Sequence, residues 1–238
     1  MSRRKFKPLL WKTTDRPVPC YFLGTMHLAD TWYNVVPRSL MNTFDKCDAL
    51  CVEFDILNAS KSQQKTAGTA LKRTVPEDIM DTVNRRTKTV RRRIENASKL
   101  TPKNMQLCGL DGYLLERASV MEKPIISLET FKEQITSMKA TGEPDAVMDY
   151  GTGDPIEQVQ TAFLAGDPTF FETMSNRVWG TQAANWCNRH VRMAGRLLDR
   201  FRSMPETSFF VAIGAIHLLS PASVLEMMVL GGVPLERV

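Results

Sequence analysis

The sequence predicts an α/β fold: two related strand–helix halves on a mixed sheet, with a helical middle, in a single domain over residues 1–238. Three observations predict it. First, "CYFLGTMHLAD" and "FFVAIGAIHLLSP" are apolar, strand-like runs that close on a glycine, Gly24 and Gly214, and carry a histidine three residues later, His27 and His217. Second, each is followed by a polar turn, a helical pattern and another strand-like run, so the two ends of the chain read as a degenerate internal repeat. Third, residues 155–204 between them show helical spacing and no strand signal.

Each element has its own reason. "VPCYFLG" is rich in aromatic and branched residues and bounded by Pro and Gly, which predicts a strand. Beyond it, Leu40, Met41, Phe44 and Cys47 recur at helical intervals. "ALCVEFDIL" predicts a buried strand in which Glu53 and Asp55 point to one side, because strand side chains alternate. Residues 58–106 predict a mostly helical insertion whose basic run, "NRRTKTVRRRIENASK", includes Arg85, Arg86, Arg92 and Arg93. "GLDGYLLERASVMEKPIISLET" predicts a turn, a helix and the strand "PIISLE". "TFKEQITSMKA" predicts a helix with Thr130 as N-cap and Glu133 at capping-box spacing. Residues 155–204 predict two or three helices, the last over about 181–203 with "NWCNRHVRMAGRLLDRF". "SFFVAIGAIH" then predicts a strand, "SPASVLEMMVLGG" a helix stopped by glycines, and "VPLERV" a final short strand.

Composition narrows the function classes. With 43% hydrophobic and 24% charged residues the chain is an ordinary globular one, not a low-complexity segment. The net charge of +5 permits an anionic partner, but the arginine run has no interleaved aromatics for base stacking. A solvated helix face is the expectation there, and a nucleic-acid partner is not expected. Five cysteines, an odd number placed in or beside apolar runs, predict reduced buried thiols, and Cys47 and Cys51 read as packing residues. No stretch reaches the length of a transmembrane helix. The basic start is followed by too short an apolar patch for a signal core, so the chain as given reads as cytoplasmic, or as exported if a signal was removed.

The chemistry gathers on the matched histidines. A histidine just beyond a strand lies where open α/β sheets collect their ligands. Carboxylates set in apolar runs, Glu53 and Glu129, need a cation, a metal or a hydrogen-bond network, since an unpaired buried charge is costly. Two imidazoles and a carboxylate suit a divalent ion, Zn²⁺, Mn²⁺ or Co²⁺, with a position left for water. Glu129 also reads as a neighbour of the next helix N-terminus, and Asp55 as a residue that orients a ligand or pairs with an arginine. Arg189, with Arg192 and Arg196 on adjoining helical positions, could clamp a carboxylate or stabilise an oxyanion. His190 lies beside it. No G-x-S-x-G elbow, H-E-x-x-H or P-loop occurs.

The segments "LLWK", "YFLGTMH", "ALCVEFDI", "GLDGYLLERASVMEKPIISLETFKEQI", "RHVRMA" and "FFVAIGAIHL", in this order over nearly the whole chain, resemble the TraB/GumN/TIKI superfamily, which includes the pheromone-shutdown protein PrgY, and most of all its GumN-like branch. The resemblance implies a two-halved α/β fold like that of EreA and ChaN. It implies a metal-dependent peptidase, since TIKI members cleave the amino-terminal region of Wnt proteins with Mn²⁺ or Co²⁺, and hence a peptide or protein substrate. Carried over by motif, the metal ligands are His27, Glu53 and His217. The catalytic set adds Arg189 and, as a candidate general base, Glu129. Asp55 and His190 stand outside the ligand set as residues that orient it. The alternative implied by the same relatives is a non-catalytic protein that captures a peptide or a haem-like ligand in the same cleft. The chain departs from the pattern in three places: His190 stands where many GumN-like members have Asn, "HLLSP" lacks a glycine after the first leucine, and no signal peptide is evident.

Overall fold

The computed structural model describes residues 6–26, 36–55, 60, 62, 109–140 and 155–238. Six strands form one mixed sheet in the order β4–β3–β5–β2–β1–β6. They are β1 (Leu10–Thr13), β2 (Tyr21–Thr25), β3 (Ala49–Val52), β4 (Ile125–Ser127), β5 (Phe209–Gly214) and β6 (Leu235–Arg237). The helices, in chain order, are α1 (Arg38–Lys46), α2 (Gly109–Val120), α3 (Phe131–Ala140), α4 (Pro155–Ala165), α5 (Pro168–Ser203), α6 (Ala215–Leu219) and α7 (Val224–Leu230). β5 pairs in parallel with both β2 and β3, and β3 in parallel with β4. Four strands therefore end on one edge of the sheet. β1 runs antiparallel to β2 and to β6, which closes the other side.

The central strands are apolar on both sides, as strands covered on two faces must be. Along β5 the side chains alternate between two cores. Phe210 and Ala212 enter one with Leu23, Phe44, Leu50, Leu114 and Phe163; Phe209, Val211 and Ile213 enter the other with Phe22, Met193, Leu197, Phe201 and Met228. α1, α2 and α4 cover the first face, while α7 and the second half of α5 cover the second. α5 contributes to both cores: Phe171 near its start packs on the first, and Met193 to Phe201 pack on the second. At 36 residues it is about 54 Å long, enough to cross from one layer to the other. Asp167 caps its start, accepting from the amides of Thr169 and Phe170, and Pro168 occupies the first helical turn.

The two glycines that close β2 and β5 have steric reasons. A Cβ on Gly24 would lie 3.2 Å from both Ala215 and Leu9, and one on Gly214 would lie 3.1 Å from Glu53 Oε1. β2 and β5 are adjacent, with Gly24 opposite Ile213 and Thr25 opposite Gly214, so the two glycines are displaced by one residue in register.

Several expectations change in detail. The third strand stops at Val52, and Glu53 and Asp55 lie in the bend beyond it rather than on the strand. Its pairing with β5 ends at Val52, and the Glu53 side chain beyond it accepts from the amide of Gly214. Residues 155–204 form two helices, and the second is continuous from Pro168 to Ser203 rather than starting near 181. Leu10–Thr13, which carries no strand pattern of its own, is a strand because β2 and β6 flank it. Gly214 leads into the one-turn helix α6 rather than a polar turn. His27, Cys108, the arginines of the basic run and all of the 58–106 insertion apart from Ser60 and Ser62 lie outside the described residues. Cys20, Cys47 and Cys51 are free and buried, and Cys187 is free and half-buried. Among the described residues no helix is long and apolar enough to cross a membrane.

Candidate functional site

The carboxyl ends of β3, β4 and β5 place the polar residues that the sequence singled out. The ladder between β3 and β4 continues past the strands, with the amide of Leu128 donating to Val52 O and that of Glu129 to Glu53 O, each at 2.8 Å. This pairing sets the two glutamates side by side. Both are buried, Glu129 at 1% exposure and Glu53 at 7%. Asp55 is also buried, and its amide donates to Ser127 Oγ at 3.0 Å.

Charge compensation comes from α5. Arg189 donates from Nε to both oxygens of Glu129, at 3.0 and 3.2 Å, and from Nη2 to Glu129 Oε2 at 2.6 Å, to Gln134 Oε1 at 2.8 Å and to Glu53 Oε2 at 3.1 Å. One guanidinium thus serves two buried carboxylates, the fork geometry that arginine offers and lysine does not. Burial works against its charge, but the two carboxylates outweigh it and hold the arginine above its ordinary pKa. Gln134 comes from the second turn of α3. That helix is fixed by the predicted capping box: Thr130 Oγ1 accepts from the amide of Glu133 at 3.2 Å, and Glu133 Oε2 accepts from the amide of Thr130 at 2.6 Å. Arg192, one turn after Arg189, lies 3.6 Å from Glu129 and 3.5 Å from Glu133.

Glu53 has the second partner set. Its Oε1 accepts from the amide of Gly214 at 2.6 Å, and its Oε2 lies 3.4 Å from His217 Nε2. The absence of a Cβ at Gly214 leaves the space in which this carboxylate sits. His217 is held from behind: its Nδ1 is 3.0 Å from His190 Nε2, and His190 Nδ1 is 2.9 Å from Ala222 O. Burial, above all, keeps both imidazoles neutral, pushing His190 down to about 3, with the neighbouring His217 acting the same way. Trp186 closes this corner, its ring 4.8 Å from that of His217 and 5.8 Å from that of His190.

The structure therefore brings together Glu53, Glu129, Arg189, His190 and His217 from four separated parts of the chain. Trp186, Gln134 and Ala222 join them. Trp186 precedes Arg189 and His190 by one helical turn, so helical spacing could have pointed to it. Nothing local marks Ala222. His27 follows the last described residue of its segment, Met26. β2 ends level with β5, Thr25 lying opposite Gly214.

The ligands expected of a divalent ion are His27, Glu53 and His217. Among the described residues there is no group of three His, Cys, Asp or Glu arranged to hold a metal. The two that are described, an imidazole nitrogen and a carboxylate oxygen, stand 3.4 Å apart. Two ligands of one tetrahedral ion, each at about 2.0–2.1 Å, are separated by about 3.3 Å.

No curated protein and no solved structure matches the chain. A family description does, over residues 9–237, and that span holds every residue of this site: the chain belongs to the TraB/PrgY/gumN family.

Proposed function

We propose that the protein is a metal-dependent hydrolase that cleaves peptide bonds at the carboxyl ends of β3, β4 and β5. The observation that carries the reading is the approach of His217 Nε2 to Glu53 Oε2, a buried neutral imidazole facing a buried carboxylate at ligand spacing. Family membership supports it as well. His217 and Glu53 would hold the ion, with His27 as the third ligand, and Zn²⁺, Mn²⁺ and Co²⁺ all suit such donors. When bound, the ion supplies Lewis acidity, which polarises a carbonyl and makes water a nucleophile near neutral pH.

The chain's own residues do the rest. The amide of Gly214 fixes one oxygen of Glu53 and leaves the other turned to His217. Arg189 stays cationic through the reaction, because two carboxylates stabilise its charge. Its hydrogen bonds to these residues run through Nε and Nη2. Nη1 is thus the atom to offer a substrate oxygen as negative charge develops on it. Glu129, with both oxygens engaged by Arg189, is assigned to holding that guanidinium rather than to moving a proton. Trp186 walls the imidazoles from water, which strengthens every electrostatic contact behind it.

The test is metal content and turnover on the full chain. Purified protein is titrated calorimetrically with Zn²⁺, Mn²⁺ and Co²⁺, then incubated with a peptide library read by mass spectrometry. Wild type is expected to bind one ion and release new termini, while Glu53→Gln and His217→Ala lose both. Wild type that takes up none of the three ions and leaves the library intact sinks the reading. A peptide retained without cleavage, in the presence of EDTA, would instead make this cleft a capture site.

A further inference from the structure

We propose that His190 is a positioning residue: it locks His217 in the tautomer that carries its proton on Nδ1, and so keeps a lone pair on the Nε2 that faces Glu53. The inference deepens the reading of the site above and rests on it for its catalytic consequence, though not for the tautomer itself.

The argument runs from one end of a short chain of atoms. Ala222 O is a carbonyl and can only accept, so His190 Nδ1, 2.9 Å away, must carry a hydrogen. A neutral imidazole has one N–H, which makes His190 Nε2 an acceptor. His217 Nδ1 lies 3.0 Å from that acceptor and must therefore donate. Its own neutral ring then has no proton left for Nε2, which is the nitrogen 3.4 Å from Glu53 Oε2. Two lone-pair atoms face each other across that gap. Such a contact is unfavourable alone and becomes favourable around a cation.

The two rings are buried, His190 at 0% and His217 at 3% exposure, and Ala222 is half-buried. The rings stand 88° apart, edge to face, with Trp186 against both. The far anchor is unusual too. Ala222 has φ 48°, a left-handed conformation that a non-glycine residue adopts only when its surroundings hold it there. The His190 hydrogen bond to its carbonyl is such a hold. Without His190, His217 would be free to place its proton on Nε2 and donate to Glu53, closing the gap that the ion needs.

Long-range nitrogen–proton correlation spectra of the metal-free, full-length protein, with nitrogen-15 in its three histidines, test this directly. In wild type His217 should show a protonated Nδ1 and an unprotonated Nε2. His190→Gln, whose amide oxygen reaches the position of the imidazole Nε2, should keep that pattern. His190→Asn, long enough for Ala222 but not for His217, and His190→Leu should both move the proton to Nε2. In the same variants Zn²⁺ binding is expected to weaken about 10–100-fold for Asn and Leu and little for Gln. A wild-type spectrum with the proton on Nε2 overturns the proposal, whether or not any variant folds. So does an unchanged tautomer in His190→Asn. The correct tautomer in a protein that binds no metal leaves this inference standing and removes the proposed hydrolase.

Discussion

Two arginine–carboxylate clusters lie two turns apart on the same face of α5, built from the same chemistry in different surroundings. In the inner one Arg189 holds Glu129 and Glu53, with side-chain exposures of 11%, 0% and 8%. In the outer one Arg196 holds Glu133 through two hydrogen bonds of 2.9 Å, with exposures of 39% and 24%. Arg192 stands between and touches one carboxylate of each. The outer pair meets end-on through Nη1 and Nη2, with two equal hydrogen bonds, yet the inner cluster carries more consequence. An exposed pair exchanges water for a partner at little net gain. A buried one has already lost its water, and each member depends on the others for its charge.

Removing Arg189 should therefore give the largest effect. Arg189→Ala leaves two buried carboxylates without their cation, and the expected loss is about 3–5 kcal/mol in urea unfolding. The double variant Arg189→Met with Glu129→Gln, which removes charge from both partners, should lose less than Arg189→Ala alone. A loss under about 1 kcal/mol for Arg189→Ala would mean that the inner cluster behaves as a surface pair and that burial does not separate the two.

Second in size is the cap that the outer cluster shares. Glu133 receives Arg196 and also closes the capping box with Thr130. Thr130→Ala removes the side chain that satisfies the amide of Glu133, and about 1 kcal/mol of stability should go with it. Because α3 also presents Gln134 to Arg189, the same variant should lower activity if the helix frays. An unchanged unfolding midpoint would show that Arg196 alone holds this end of α3.

How much of this was legible in the sequence follows the same division. Thr130 and Glu133 are local: their spacing is a rule about one turn of helix, and the contacts are as that rule requires. The unbroken apolar run along Phe209–Gly214 likewise announces a strand buried on both faces. The inner cluster is non-local. Glu53 could be marked as a carboxylate needing compensation, and Arg189 as a candidate clamp. That they meet, and that Glu129 is bound by the same guanidinium, depends on β3 and β4 being neighbours and on α5 crossing behind them. The continuation of α5 through residues 168–180 was hidden because Pro168 and Gly180 look like interruptions, whereas a proline in the first turn starts a helix and the helix runs on through the glycine. β1 was hidden for a different reason. Leu10–Thr13 has no pattern until β2 and β6 supply its partners. Ala222 shows the limit most plainly, since no property of alanine predicts a left-handed turn.

The smallest expected effect sharpens the comparison furthest, because it depends on pH. The hydrogen bond from Arg196, more than anything else, lowers the pKa of Glu133 to about 2, against a burial effect that works the other way. A carboxyl whose pKa falls on folding stabilises the folded state above its ordinary range, and that contribution disappears as pH drops towards the folded value. The outer pair should therefore add its share at neutral pH and lose it between about pH 4.5 and 2. Since both side chains are partly exposed, the share should be only about 0.2–1 kcal/mol. Arg196→Gln keeps the length and polarity of the side chain without its charge. Its difference from wild type in unfolding free energy, followed from pH 7 downward, should shrink steadily below pH 4.5, and added salt at pH 7 should shrink it too. The other carboxylates titrate in both proteins and largely cancel from this difference. A gap that stays constant from pH 7 to 2 and in high salt would mean that Arg196 acts through the packing of its stem and its hydrogen bond to Leu128 O, with no electrostatic share.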